Sequence, residues 1–187
     1  TNAYKFHYFN DLWSFDPLTK IWTWQAGDSI AYRNYNDSIY YGIYETKGIA
    51  SITSKPGGRF GAVSWVDSEG RFWLMGGSGY AQSGGQGSLN DLWSFDPSTK
   101  KLIQMTKTEW EEWRPAPSGN DLTYFISNKR RNFDVYRLTA PNGVPELIYD
   151  SPDDEWDPAV SPDGTRVAFS SRKHGRWRLY IASADQR

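Results

Sequence analysis

The chain has 187 residues, enough for a domain with a real core, and its 21 basic and 22 acidic side chains leave a formal net charge of -1. Charges so balanced and interspersed supply no footprint for nucleic acid or an anionic membrane surface, and no apolar stretch approaches the roughly 18 residues that span a bilayer. The lack of cysteine excludes disulfides, thiol nucleophiles and thiolate metal sites, and an aromatic content of 17% without long aliphatic runs favours an all-β protein.

The opening "TNAYKFHYF" lacks the basic and apolar zones of a signal peptide and an initiator Met, so the chain reads as a mature product, an excised fragment or an engineered piece, the last two ahead of the first. In "NDLWSFDPLTK", residues 10 to 20, Leu12, Trp13 and Phe15 predict a short strand. Pro17 then presets a tight turn that Asp16 caps. "IWTWQA" follows with Trp22 and Trp24 at period two, which completes a β-hairpin.

A long insertion, residues 27 to 58, comes next. Its tyrosines Tyr32, Tyr35, Tyr40, Tyr41 and Tyr44 stand among polar residues, a surface suited to carbohydrate or protein contact; the alternative is that the insertion packs over a neighbouring sheet. A second hairpin is predicted in "FGAVSWVDSEGRFWLMGGSG", with strands at residues 60 to 66 and 71 to 75 around "DSEG". The glycine-rich residues 76 to 88 have neither the lysine of a phosphate-binding loop nor a helix to follow, and read as a flexible connection. "NDLWSFDPSTK", residues 90 to 100, then repeats the first motif at ten of eleven positions, and "KLIQM" supplies its second strand. The hairpin before it and this one predict a four-stranded sheet.

From Trp113 the composition changes: 13 of the 17 glycines lie before it, and a different repeat begins. "RPAPSGNDLTYFISNKRRNFDVYRL" matches "DPAVSPDGTRVAFSSRKHGRWRLYI" at an offset of 43 to 44 residues, with Pro115-Ala116 answering Pro158-Ala159, Phe125 answering Phe169 and Tyr136 answering Tyr180. The first copy continues into "PELIYD" as a fourth strand; the second stops at three. The total is about thirteen strands, with no amphipathic helix.

Few residues suggest chemistry. His7 and His174 lack a second His at ligand spacing and cannot anchor a triad; no catalytic residue, cofactor or metal is assigned. Asp150, Asp153, Asp154, Glu155 and Asp157 lack the ordered spacing of a calcium loop and read as a solvated acidic connection. Lys129, Arg130 and Arg131 form a basic turn of the kind that blunts a sheet edge.

Residues 10 to 105 resemble kelch repeats, through both "NDLW.FDP.T" motifs, the Gly76-Gly77 pair after an apolar strand and the spacing of Phe15 to Trp22; the second copy departs, with Leu102 in place of Trp. Residues 113 to 187 resemble the TolB-like propeller repeat, through Ser161-Pro162-Asp163-Gly164, Ala168-Phe169-Ser170 and Leu179-Tyr180. Both resemblances imply a β-propeller of four-stranded antiparallel blades, with a kelch-like part (1 to 106) and a TolB-like part (107 to 187) in one ring. The expectation is about four blades per chain, closed by terminal strands that share a blade with one strand surplus, or a larger ring made by two copies. Function is then expected to be that of a non-enzymatic scaffold, a natural or engineered chimera of two propeller families. The alternative is a carbohydrate- or protein-binding module cut from a longer chain. The kelch relatives include a copper oxidase with a cysteine-linked tyrosine, which a chain without cysteine lacks. Both families suggest an extracellular or periplasmic setting.

Overall fold

A computed structural model of the chain describes residues 8–29, 41–83, 85–106, 110–118, 122–139 and 144–184. Among the described residues sixteen strands are formed, all pairing antiparallel, and the only helical element is a 3-10 turn at Lys173–Gly175.

The first hairpin is β1 (Leu12–Asp16) and β2 (Ile21–Ala26). Its turn forms as the sequence predicts: the Asp16 carboxylate accepts the Leu18 N–H at 2.8 Å, and Lys20 closes the turn at φ 58°. Register places Trp13 opposite Trp24 and Phe15 opposite Trp22, so four rings share one face.

The second sheet joins β4 (Val63–Val66), β5 (Phe72–Met75), β8 (Leu92–Asp96) and β9 (Lys101–Gln104) in that order. The "DSEG" turn is held by Asp67, whose side chain accepts the N–H groups of Glu69 and Arg71 and the Trp73 indole N–H. Between β5 and β8 the chain makes an excursion. There β6 (Ser78–Gly79) pairs with β7 (Gly87–Ser88) on one side and with β3 (Arg59–Phe60) on the other, in a small separate sheet. The glycine-rich stretch expected as a flexible connection is therefore partly strand. Two-residue strands carry no periodicity to read, and Gly77, at φ 93°, brings the backbone so close that a Cβ would lie 2.7 Å from the Phe60 carbonyl oxygen.

The third sheet is β10 (Glu112–Ser118), β11 (Leu122–Ser127), β12 (Asp134–Thr139) and β13 (Glu146–Tyr149); the fourth is β14 (Glu155–Val160), β15 (Arg166–Ser171) and β16 (Arg178–Ser183). Their equivalence reaches the backbone. β10 bulges between Trp113 and Ala116 and β14 between Trp156 and Ala159, and the residue before each proline, Arg114 or Asp157, sits at positive φ (56° and 51°).

Side-chain alternation gives each sheet two faces, and the second, third and fourth sheets pack face to face in succession. Trp73, Met75, Leu92 and Met105 of the second sheet meet Phe125, Tyr136 and Leu138 of the third in one core. Tyr124, Val135 and Ile148 on the other face of the third sheet meet Val167, Phe169 and Ala184 in a second core. At about 25 cal/mol per Å² of apolar area, such ring-rich contacts dominate the stability of the arrangement.

β8 and β12 are the third strands of the two four-stranded sheets, while β1 pairs with β2 in a two-stranded sheet and β16 ends a three-stranded one.

Candidate functional site

The polar centre of the first half is Asp91, in the second copy of the repeated motif. Its carboxylate accepts two N–H groups of Arg59, at 2.5 and 2.8 Å, the Trp93 indole N–H at 2.6 Å and the Tyr44 hydroxyl at 2.5 Å. Arg59 also donates to the Gly57 and Gly76 carbonyls, so it ties β3, the insertion and the double-glycine turn to one buried carboxylate. Burial alone would raise the Asp91 carboxyl. The Arg59 hydrogen bonds and charge outweigh it and hold Asp91 below the ordinary carboxylate range. Burial and the neighbouring Asp91 charge push the Tyr44 phenol up.

Beside this cluster lies a cleft of about 580 Å³ between the first hairpin and the second sheet. Val66, Phe72, Leu74 and Phe95 form its apolar wall, and Asn10, Asp11 and Leu12 face them from the hairpin side. Phe72 remains 41% exposed although it belongs to an inner strand of a four-stranded sheet, and Val66, on the edge strand β4, is 55% exposed. Concave, mainly apolar and edged by a few polar groups, the cleft has the form of a binding site.

Of the five tyrosines singled out from the sequence, Tyr32, Tyr35 and Tyr40 lie outside the described residues. Tyr44 is half-buried, edge-on to Trp93 at 5.1 Å, and bonded to Asp91; Tyr41 is half-buried, edge-on to Tyr80 at 5.7 Å. The structure thus brings these two against the second sheet and the small sheet. The stretch Gly48 to Ser51 of the insertion runs along β9, where Ser51 bridges Leu102 and Gly48 donates to the Gln104 carbonyl. It covers a strand edge that would otherwise be open.

The acidic run is dispersed. Asp150 pairs with Arg130 at 2.9 Å, the Asp154 carboxylate accepts the Phe133 N–H, and Asp157 lies 3.4 Å from Arg114. Glu155 departs from the expected solvated connection, being fully buried: it accepts the hydroxyls of Ser151 and Ser171 and approaches Asp134. Burial pushes its carboxyl up to about 7, against those hydroxyl bonds, and the Asp134 charge adds to the rise. The signal that could have found it is the repeat itself, because Glu112 holds the equivalent position and is also buried. Among the described residues no three His, Cys, Asp or Glu side chains gather at metal-binding distance, and His7 lies outside those residues. His174 falls within the 3-10 turn. Arg59, Asp91 and the cleft were missed because their partners lie 32 residues apart and share no motif spacing.

No family profile matches the chain, and no curated protein matches it. Solved structures do. A TolB from Agrobacterium tumefaciens superposes with a TM-score of 0.50 at 20% identity, over 68% of this chain and 50% of that one. TolB from Acinetobacter baumannii gives 0.50 at 20% identity, over 71% of this chain and 32% of its own. The chain therefore spans half of one neighbour and about a third of the other. At this identity the likeness carries the fold: the protein is an all-β chain of β-propeller architecture, and its structural neighbours are TolB propellers.

Proposed function

We propose that the chain is a non-enzymatic propeller scaffold in which kelch-like blades (10 to 105) and TolB-like blades (113 to 187) have been brought together, by nature or by design. The observation that carries this is the shared core. Trp73, Met75, Leu92 and Met105, from the half with kelch motifs, pack directly on Phe125, Tyr136 and Leu138, from the half with TolB-like motifs. Two repeat languages thus meet across one ordinary blade interface, as a scaffold requires and as catalysis does not. A panel of ester, glycoside and peptide substrates should show no turnover above buffer, and the two halves should melt in a single transition. Turnover lost on substitution of a named side chain, or two separate melts, would refute the reading.

A second reading is favoured by the cleft: a carbohydrate- or protein-binding module of a longer protein. The cleft's apolar wall, with Asn10 and Asp11 opposite, supports contact with a partner better than the half-buried Tyr41 and Tyr44 do. Saturable binding in a glycan array or a defined-peptide screen supports it, and silence in both returns the protein to the scaffold reading.

A further inference from the structure

We infer that the cleft and the edge of β1 that no described residue pairs form an acceptor for a β-hairpin donated by another polypeptide, one with the chemistry of this chain's own residues 59 to 76. The inference rests on the protein-binding reading of the cleft and comes from laying the two motif copies over each other.

β8 pairs on one edge with β9 and on the other with β5, in the register Phe72 to Phe95 and Leu74 to Trp93. β1 has the same sequence, Leu-Trp-Ser-Phe-Asp, and pairs with β2 alone among the described residues. Its other edge offers the row of backbone groups that β5 satisfies in the second sheet, and such an edge is a template for strand addition. The acidic residue before the strand repeats the comparison. Asp91 holds the Trp93 indole at 2.6 Å and is completed by Arg59; Asp11 holds the Trp13 indole at 2.7 Å and stays exposed. The missing group is a guanidinium, placed as Arg59 is placed ahead of the first strand of its hairpin. Charge therefore selects a donor that begins with arginine.

The cleft supplies the third match. A hairpin added to β1 would lie over the exposed Val66 and Phe72 and the half-buried Leu74, which line the space that such strands would fill. The second sheet's own inner strands meet the third sheet with Trp73 and Met75 in the same fashion. The donor thus reads as Arg-Phe-Gly, an alternating apolar strand, a tight turn and an aromatic strand.

The test uses the full chain and a fluorescein-labelled synthetic peptide with the sequence of residues 57 to 77, followed by anisotropy. Saturable binding is expected. Asp11→Arg should weaken it by about tenfold or more, and a peptide with Asp in place of its arginine at position 59 should recover affinity on that variant. Near-UV circular dichroism of Asp11→Arg, an exposed substitution, checks that the fold is kept. Absence of binding by the natural-sequence peptide overturns the inference, as does binding indifferent to both reversals, which would mean exchange into the second sheet. Glycan binding without peptide binding would leave the binding-module reading intact and overturn this one.

Discussion

Leu12–Asp16 and Leu92–Asp96 carry identical residues, and their local structures agree closely. Both turns close with Lys at φ 58° or 59°, and each Asp accepts the N–H two residues on at 2.8 Å. Burial differs completely. Trp13 and Phe15 are each 46% exposed, while Trp93 and Phe95 are 1% and 3% exposed. Local chemistry specifies a hairpin and its register; whether that hairpin becomes the interior of a protein is decided by what lies beside it. β5, Arg59 and Tyr44 complete the second copy, and nothing equivalent among the described residues completes the first.

Substitutions at paired positions test this contrast, and the largest effect is expected at the aspartates. Asp91→Ala leaves Arg59 buried and unpaired and should cost about 3–5 kcal/mol, whereas Asp11→Ala should cost about 0.5 kcal/mol or less, both read from urea melts. Equal costs would break the comparison. Trp93→Ala should cost about 3–5 kcal/mol through loss of a packed ring, against about 0.5 kcal/mol for Trp13→Ala.

The comparison sharpens when pH is varied. Asp91 is held below its ordinary value of 3.8, so its stabilising contribution is present above about pH 4 and fades as pH falls through the lower folded value. Glu155 has the opposite sign. Its value rises from 4.5 unfolded to about 7 folded, so its contribution is complete below pH 4.5 and is lost as pH climbs through 7. The melting temperature should fall between pH 5 and 8, and Glu155→Gln should flatten that fall while leaving the acid limb in place. The smallest effect concerns the one position where the motif copies differ. Ser98 donates its hydroxyl to Asp96 at 2.6 Å and helps to hold that carboxyl at about 2; Leu18 cannot do this for Asp16. Ser98→Leu should raise the Asp96 value in an NMR titration without changing the fold.

Much of this architecture was legible in the sequence because turn chemistry and alternation are local. The Asp-Pro turns, the "DSEG" hairpin, the four-stranded second sheet and the repeat offset of 43 to 44 residues all follow from residues near one another. The sheet made by β3, β6 and β7 was not legible, since its strands are two residues long and lie in glycine-rich chain. Glu155 was misread because acidic neighbours imply solvent, and only its tertiary setting against Ser151 and Ser171 places it inside. The cleft escaped entirely: its walls come from the first motif copy and from strands of the second sheet far along the chain, and no pattern within either copy says which will be covered.

Backbone hydrogen exchange along the two copies, followed by NMR in the intact chain, tests the central claim most directly. If neighbours rather than local sequence finish the motif, amides of Leu92–Asp96 will exchange about a hundredfold more slowly than those of Leu12–Asp16. Equal protection of the two strands would contradict the account.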